Sequence, residues 1–447
     1  MTALDAGLAA AIRARVVETA DDLFALTAAL VQCRSDSQST PNPEYYAQAT
    51  AAQDVVASWL EHLGAEVERW EQAPRYPVVA ARLPGAGGGR SLAFNGHVDV
   101  VPAGDPAAWT HDPWAGEVAN ERLWGRGSTD MKGGVACTLM AGRVLRDLDI
   151  SLKGDLWFHI DADEEVVGQS LRRLLERVPA VDAALVAEPT DLAVLIAEGG
   201  LVHLRIEVFG RESHAGNRYR SIHAGGLGAE AGINAIEKGF KIAAALQELE
   251  RQWANLRSHP LLPPGFNSIM PGIIAGGPGG GADGQLHTIS NPGTAPDYCS
   301  LEYNIWFLPG ETLAGIQTEI EEYVLDACRL DPWLREHPPR FTWRLRDIYF
   351  PPAETAPDHP FVQALTGAVA EVGGTTEIAA FQAASELAWY AEQGIPGVIF
   401  GPGRIAQAHS PNEYVETAQL IAACQAMAIA AATWCGVVSE VPARRTA

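Results

Sequence analysis

Hydrophobic and polar residues follow two different patterns along the chain. In the first pattern, predicted helices alternate with predicted strands. Helical spacing of apolar residues predicts helices at about 8–31, 44–63, 132–148 and 170–178. Short apolar runs predict strands at about 65–71, 77–83, 91–95, 154–160 and 183–188. This alternation predicts an α/β domain, with a parallel or mixed sheet and helices on both faces.

The pattern changes after residue 200. The segment "LVHLRIEVFG" (201–210) alternates apolar and other residues, as a half-exposed antiparallel strand does. It is followed by a predicted helix at 225–254, strands at 268–275 and 299–308, a helix at 311–330 and a strand at 341–347. The order β-α-β-β-α-β predicts a small α+β unit with a split βαβ sheet.

The first pattern resumes after Pro351, with the short strand "GVIF" and a C-terminal helix. We therefore predict one α/β domain built from residues 1–200 and 351–447, with a smaller domain inserted at 201–350. The length of 447 residues agrees with two domains rather than one.

The charge balance narrows the classes of partner. The chain has 32 basic and 55 acidic residues and a net charge of −23, which argues against nucleic acid or an anionic membrane as the main partner. Residues 1–35 have no apolar core behind a basic start, so we expect no secretory signal. The six cysteines include no CxxC pair, which favours reduced thiols and a cytoplasmic location.

One segment is long enough to cross a membrane. No charged residue occurs from Thr417 to Ser439. The segment is mostly alanine, however, and it carries Gln419 and Gln425. We therefore predict a helix packed inside the protein.

Residues able to bind metal follow several of the predicted strands or begin a helix. They occur in "GHVDVVP", "GRGSTDMKGG", "DADEEVVG", "AEPT" and "AHSPNEYV" and are His97, Asp99, Asp130, Asp161, Asp163, Glu164, Glu165, Glu188 and His409. Each motif alone has an ordinary explanation, such as a helix cap for Asp130 or a solvated loop for the acidic cluster. The carboxyl ends of strands in an α/β sheet form binding sites, so together these residues predict a site for two divalent ions. Zinc is the first choice by ligand type, with manganese or cobalt as alternatives.

The same motifs, with "ESHAG" between them, occur in an order and at distances that resemble the M20 metallopeptidase family. That family includes acetylornithine deacetylase, succinyl-diaminopimelate desuccinylase, aminoacylase and carboxypeptidase G2. The resemblance implies a di-metal aminopeptidase-like catalytic domain, with the inserted domain acting as a lid and dimerisation domain. It also implies a cytoplasmic homodimer that joins through this lid.

The resemblance implies a role for each site residue. His97, Asp130 and Glu188 would hold one metal, and Asp130 would bridge to a second metal held by Glu165 and His409. Asp99 would orient His97, and Glu164 would be the general base that moves a proton from water to the leaving nitrogen. His214 on the lid would stabilise the oxyanion. Asp161 and Asp163 would either support the neighbouring ligands or be solvated loop acids, and for Asp161 we expect a solvated loop acid.

The substrate pocket departs from the family pattern. Trp306, in "LEYNIWFLPGE", stands where several members carry an arginine for a substrate carboxylate. Arg218, Arg220 or Arg404 would then replace that arginine, although each such arginine is more often a plain surface residue. Trp306 would present an aromatic wall to a ring-bearing group or pack in the lid core. Glu386 would lie near the acyl pocket.

The activity implied is hydrolysis of the amide bond of a small N-acylated amino acid or amine. The nearest alternative is a dipeptidase or carboxypeptidase on the same scaffold, because fold alone does not decide the substrate. A non-catalytic metal-binding protein and a two-metal phosphoesterase are the more distant alternatives. Glu164 argues against the first, and the lack of an evident phosphate clamp argues against the second.

Overall fold

The computed structural model describes residues 4–36, 43–72, 76–166, 168–222, 232–279 and 292–438. The chain divides into two compact units, one formed by Met1–Glu198 with Ala353–Ala447 and the other by Gly199–Pro352. These boundaries lie two residues from the expected ones, at 200/201 and 350/351.

The first unit contains most of the helices and strands. Its helices are α1 (Ala6–Glu18), α2 (Ala20–Gln32), α3 (Pro43–His62), α4 (Lys132–Asp147), α5 (Ser170–Leu175), α9 (Pro360–Glu371), α10 (Leu387–Glu392) and α11 (Thr417–Cys435). Its strands are β1 (Glu66–Gln72), β2 (Tyr76–Leu83), β3 (Leu92–His97), β4 (Glu117–Ala119), β5 (Arg122–Trp124), β6 (Leu156–Asp161), β7 (Ala184–Val186), β8 (Val194–Glu198), β14 (Ala353–Glu354), β15 (Ile378–Phe381), β16 (Gly397–Ile399) and β17 (Tyr414–Glu416).

A mixed sheet forms the centre of this unit. Its strand order is β1-β2-β6-β3-β7-β16-β8-β14, with β15 paired to β8. Strands β6, β3, β7 and β16 run parallel to one another, so their carboxyl ends open at the same edge. Strand β3 is buried at all six positions, as expected for a central strand covered on both faces.

The second unit is inserted in the chain between strands β8 and β14. Strand β8 ends at Glu198, and the chain returns at Ala353, which pairs with Glu198 in the antiparallel β8–β14 ladder. The two points where the chain leaves and re-enters the first unit are therefore direct neighbours in one sheet.

The N-terminal helix predicted at 8–31 is two helices. Helix α1 ends at Glu18 and α2 begins at Ala20, with Thr19 between them at φ −107° and ψ 18°. The Thr19 hydroxyl donates a hydrogen bond to the Arg15 carbonyl at 2.9 Å. Threonine bonds to the preceding turn in this way and bends helices, a local effect that apolar spacing does not reveal.

The long uncharged segment at the C-terminal end forms α11. Within the described residues, it is the one helix long and apolar enough to cross a membrane, with a mean hydropathy of 1.4 in its best window. However, 78% of that window is buried inside the protein, where α11 packs against α4 and α9. The prediction of a packed helix is confirmed.

The second unit has the predicted order of elements. It consists of β9 (Gly200–Phe209), α6 (Arg218–Ile222), α7 (Ala235–Leu256), β10 (Ser268–Gly277), β11 (Tyr298–Phe307), α8 (Leu313–Arg329), β12 (Arg340–Trp343) and β13 (Tyr349–Phe350). The sheet order is β10-β11-β9-β12, with β13 also paired to β9. The helices α7 and α8 share one buried core with β9 and β11. The start predicted for the long helix, at 225, lies outside the described residues.

Close packing at the first turn of α4 predicts a specific intolerance to added volume. A Cβ at Gly134 would lie 1.9 Å from the carbonyl oxygen of Ala187, the residue before Glu188. We therefore expect Gly134→Ala to lower the free energy of unfolding by about 1–3 kcal/mol in urea denaturation. Gly367→Ala is the control, because within the described residues no atom outside the adjacent backbone of α9 lies within 4 Å of a Cβ at this position. The control should be neutral or stabilising by up to about 1 kcal/mol, and equal losses in both variants would contradict the packing argument.

Candidate metal centre

The parallel strands bring the predicted metal-binding residues to one edge of the sheet. His97 is the last residue of β3, and Glu188 follows β7 closely. Glu165 follows β6, and Asp130 lies two residues before the start of α4. His409 lies in the loop after β16, in the left-handed conformation at φ 59°.

The first candidate group is His97, Asp130 and Glu188. One ligand atom from each lies within 4.8 Å of the others, and all three residues are buried. The Nε2 atom of His97 is 3.4 Å from Oδ1 of Asp130 and 3.7 Å from Oε1 of Glu188. That Nε2 has no hydrogen-bond partner in the described part of the chain.

The second candidate group is Asp130, Glu165 and His409. Its ligand atoms also lie within 4.8 Å of one another. Nε2 of His409 is 3.2 Å from Oδ2 of Asp130 and 3.1 Å from Oε1 of Glu165. Asp130 thus offers Oδ1 to one group and Oδ2 to the other, which is the arrangement of a bridging carboxylate.

The electrostatics of both groups fit a cationic occupant. Burial and nearby carboxylates raise the pKa of Glu188 well above its ordinary value. Burial acts to lower the pKa of His97, but the Asp130 and Asp99 carboxylates outweigh it and the pKa is raised. Hydrogen bonds to Asp130 and Glu165 raise the pKa of His409 to about 10. An orphaned imidazole nitrogen among carboxylates is a fitting donor set for a divalent ion.

Asp99 contacts both the first group and the acidic loop. Nδ1 of His97 is 3.0 Å from the Asp99 carbonyl oxygen and 3.4 Å from Oδ1 of its carboxylate. The other carboxylate oxygen accepts a hydrogen bond from the backbone N–H of Glu165 at 3.0 Å. Asp99 therefore contacts the ring of His97 and also holds the backbone that carries Glu165.

Glu164 lies beside the two groups and belongs to neither. Its Oε2 is 3.9 Å from Nε2 of His97, and its side chain is 13% exposed. Burial, followed by the charges of Glu165, Glu188 and Asp130, raises the pKa of Glu164 well above the ordinary value. Such a carboxyl holds a proton at neutral pH more readily than an exposed one.

The expectation that Asp161 is a solvated loop acid is wrong. Asp161 is the last residue of β6 and is fully buried, and burial raises its pKa to about 6. Asp163 is 2% exposed and accepts hydrogen bonds from the backbone of Gln169 and Ser170, so it fixes the start of α5. Burial raises the pKa of Asp163 to about 7.

Glu386 directly precedes α10. It is fully buried, and its Oε2 accepts a hydrogen bond from Nδ2 of Asn95 at 2.8 Å. Burial, and next the charge of Asp161, raises the pKa of Glu386 well above its ordinary value. A substrate contact for Glu386 stays a prediction.

Four of the predicted site residues, His214, Arg218, Arg220 and Trp306, lie in the second unit. His214 is exposed, and its Nδ1 accepts a hydrogen bond from the Gly216 N–H at 3.0 Å. In the neutral ring Nε2 therefore carries the proton and is a hydrogen-bond donor. His214 and Arg218 line a cavity of about 460 Å³.

The candidate arginines all have partners. Arg218 pairs with Glu237 at 2.5 Å, Arg220 donates to the Tyr219 hydroxyl at 3.3 Å, and Arg404 of the first unit pairs with Asp191 at 3.1 Å. The half-buried Trp306 makes an edge-to-face contact with Phe266, with ring centroids 5.5 Å apart. Substrate contacts for these residues stay predictions.

Sequence reasoning missed two buried charged residues next to the site. Lys132 is fully buried, and its Nζ donates to the Cys33 carbonyl at 2.8 Å. Glu413 is also fully buried and accepts hydrogen bonds from the backbone around Asp130. Glu413 stands in the quoted motif "AHSPNEYV", but a charged letter after a loop histidine gives no sign of burial.

A family model now accounts for these features together. The model of peptidase family M20/M25/M40 matches residues 93–433, which contain every residue of the two candidate groups. The chain belongs to this family. Family members are dinuclear metal-dependent hydrolases, and this chain is accordingly a metal-dependent hydrolase of C–N amide bonds.

Two curated relatives are amide hydrolases by name. The chain is 34% identical over 439 residues to N-formyl-4-amino-5-aminomethyl-2-methylpyrimidine deformylase from Bacillus subtilis (strain 168), covering 96% of this chain and 98% of the relative. It is 28% identical over 362 residues to acetylornithine deacetylase from Vibrio cholerae serotype O1, covering 80% of this chain and 85% of the relative. The predicted family resemblance is confirmed.

Solved structures share the fold. Human carnosine dipeptidase 1 matches with a TM-score of 0.66 at 17% identity, over 96% of this chain and 99% of its own. A dinuclear metal binding peptidase of the M20 family from Bacillus subtilis matches with a TM-score of 0.61 at 17% identity, over 94% of this chain and 98% of its own. The predicted mixed α/β fold class is confirmed, whereas the lid role of the second unit stays a prediction.

The raised pKa values predict that metal binding depends on pH. A divalent ion must displace the protons that His97, Glu188 and His409 hold, so the apparent affinity should rise steadily from roughly pH 6 to pH 9. Calorimetric titration of metal-free protein in two buffers of different ionisation enthalpy measures both the affinity and the protons released. An affinity independent of pH, with no proton release, would contradict this electrostatic description.

Proposed function

We propose that this chain hydrolyses the amide bond of a small N-acylated amine and so removes a short acyl group, with formyl as the first choice. The amine that is released would carry an aromatic heterocycle. The observation that carries the proposal is the shared carboxylate of Asp130, with Glu164 beside both groups and outside them. In this arrangement, the residues of the two groups would hold metal, and Glu164 would move a proton without binding metal.

His97, Asp130 and Glu188 would hold one ion, and Asp130, Glu165 and His409 the other. We propose zinc in both positions, because imidazole and carboxylate ligands suit it, with cobalt or manganese as alternatives. When bound, the ions would lower the pKa of water and polarise the scissile carbonyl. Asp99 would keep His97 in the tautomer that presents Nε2 to its group.

Glu164 would act as the general base and then as the general acid. Its carboxylate would take a proton from the attacking water and return it to the leaving nitrogen, so one side chain serves both steps. A raised pKa suits this role, because a carboxyl with an ordinary pKa would give up the proton to solvent before the C–N bond breaks.

His214 would supply its Nε2–H to the developing oxyanion. We propose that it does so across a homodimer formed by the second units. Strand β10 is at the edge of its sheet and exposes the apolar side chains of Met270, Ile273 and Ile274, at 52%, 48% and 51%. An exposed apolar edge strand is a surface that proteins normally cover.

The acyl and amine preferences rest on the relatives and on Trp306. The similarity to the deformylase spans nearly the whole of both chains and is higher than the similarity to the deacetylase. By the family resemblance, Trp306 would also stand in place of the arginine that binds a free carboxylate, and an aromatic side chain suits a flat ring. A dipeptidase or carboxypeptidase is the alternative, and likeness of fold to carnosine dipeptidase 1 is its support.

We also propose a cytoplasmic location. All six cysteines lie within the described residues, and none is in a disulfide. Burial raises the pKa of Cys137, Cys424 and Cys435, so these thiols are unreactive. Thiols that stay reduced are typical of cytoplasmic proteins.

Replacing the proposed base should strongly slow turnover and leave metal binding unchanged. We expect Glu164→Gln to lower kcat by about 10²–10⁴-fold, because an amide cannot accept the proton. Metal content by elemental analysis should stay at two ions per chain. The matched control is Glu176→Gln, a change to an exposed glutamate after α5, which should alter neither quantity. A Glu164→Gln enzyme with full turnover and two bound ions would refute the mechanism.

A panel of amides should identify the substrate class. We expect the highest kcat/KM for an N-formyl aminomethylpyrimidine, a lower value for N-acetylornithine and N-succinyl amines, and the lowest for dipeptides. The last three kinds of substrate each carry a carboxylate. The pocket would offer it Trp306 in place of the arginine that several family members carry. Dipeptides turned over at least ten times faster than every N-acyl amine would favour the peptidase alternative. A phosphate ester as the best substrate would exclude an amidohydrolase.

A further inference from the structure

Glu413 is a buried carboxylate that joins two distant parts of the chain. It lies four residues after His409 and directly before β17, and it is fully buried. It belongs to neither candidate metal group. Its neighbours in space come from the loop that precedes α4, which carries Asp130.

One carboxylate oxygen of Glu413 collects three backbone donors. Oε1 accepts hydrogen bonds from the N–H groups of Gly127 at 3.0 Å, Thr129 at 3.0 Å and Asp130 at 3.1 Å. Three N–H groups converge because Gly125 and Gly127 have φ values of 143° and 83°, which turn the loop around a single point. Concave backbone of this kind is an anion-binding nest.

The other oxygen is occupied by a buried cation. Oε2 of Glu413 forms an ion pair with Nη1 of Arg126, whose side chain is 2% exposed. The guanidinium lies over the ring of Trp109, 5.4 Å from its centroid, and its Nη2 is 3.4 Å from the Pro102 carbonyl. Both oxygens of Glu413 are therefore saturated by groups of fixed position.

Backbone contacts on each side of Glu413 continue the same junction. The N–H of Gly125 donates to the Glu413 carbonyl at 2.9 Å, and the Thr129 hydroxyl donates to the Tyr414 carbonyl at 2.5 Å. Beyond them, β17 pairs with β5, with Tyr414 opposite Trp124. The segment containing His409 and the segment containing Asp130 thus meet at the Glu413 carboxylate.

These contacts bear directly on the second candidate group. Nε2 of His409 must lie near Oδ2 of Asp130, and the two atoms are 3.2 Å apart, although their residues come from distant parts of the sequence. Glu413 holds the backbone N–H of Asp130 itself while sitting on the segment that carries His409. A shift of either segment would separate the two ligands of this group.

We propose that Glu413 is a positioning residue that sets the spacing between Asp130 and His409 and thereby the affinity of the second metal position. The proposal rests on the proposed function, since it requires that the two groups hold metal ions. Partners of this kind behind metal ligands typically change affinity by about 10–100-fold when removed.

The negative charge of Glu413 is needed as well as its shape. A glutamine would keep one acceptor oxygen for the three N–H groups. Its amide nitrogen would then face the Arg126 guanidinium, so two donors would oppose each other and a buried cation would lose its partner. Glu413→Gln is therefore the sharpest single change.

The experiment is a calorimetric titration of metal-free protein with Zn²⁺, comparing wild type with Glu413→Gln. We expect wild type to bind two ions. In Glu413→Gln, the affinity for one ion should fall about 10–100-fold, and the affinity for the other, whose group shares Asp130 but not His409, should fall less. The weaker position should be the one that Glu165→Gln, a change to a residue of the second group alone, also weakens.

Controls separate positioning from general loss of stability. Glu207→Gln removes another buried glutamate, one that accepts from the Tyr298 hydroxyl at 3.0 Å in the second unit, and it should leave both affinities unchanged. If Glu413→Gln does not fold, Glu413→Asp keeps the charge but is one methylene shorter, and it should weaken the same position. Two ions bound with wild-type affinity in the variant that folds, or equal losses in Glu207→Gln, would overturn the inference. A wild-type protein that binds no second ion would instead overturn the proposed function.

Discussion

Asp130 faces His97 with one carboxylate oxygen and His409 with the other, and both candidate groups depend on this single side chain. Around it lie further buried acids, among them Glu164 and Glu188, whose pKa values are raised by burial and by one another. Carboxylates gathered in a dry environment repel each other unless cations offset them. Besides the imidazoles of His97 and His409, a bound divalent ion would offset the negative charge gathered at this edge of the sheet.

The fold provides this edge by simple means. The carboxyl ends of parallel strands lie at the same edge of a sheet. Residues that are remote in sequence therefore lie close together there. The short connections then determine which atoms face each other. Asp99 ties the β3 loop to the backbone of Glu165, and Glu413 ties the Asp130 loop to the segment of His409. The carboxylates of Asp99 and Glu413, which lie outside the two candidate groups, thus hold the proposed ligands in position.

Apolar periodicity was enough to predict the alternating unit, the inserted unit and the packed C-terminal helix, because each of these depends on burial along a regular element. It did not predict the break at Thr19, which depends on one hydroxyl bonding to the preceding turn. It also gave the wrong burial for Asp161, because the sequence at a strand end does not distinguish an acid in solvent from an acid in the interior. Motif order predicted which residues meet at the metal centre. The supporting contacts of Glu413 escaped prediction, because they are made to backbone N–H groups and leave no pattern in the side chains.

The ladder between Glu198 and Ala353 has a consequence for how such a protein is assembled. Since these residues are paired neighbours, the chain of the first unit would need only a tight turn to close over the place where the insertion leaves it. The entropy of joining two ends that already touch is small, and it grows slowly with the length of what lies between them. The insertion point thus behaves as a hairpin whose loop has been replaced by a whole domain, and the sheet can accept inserts of different size without a change in its own register.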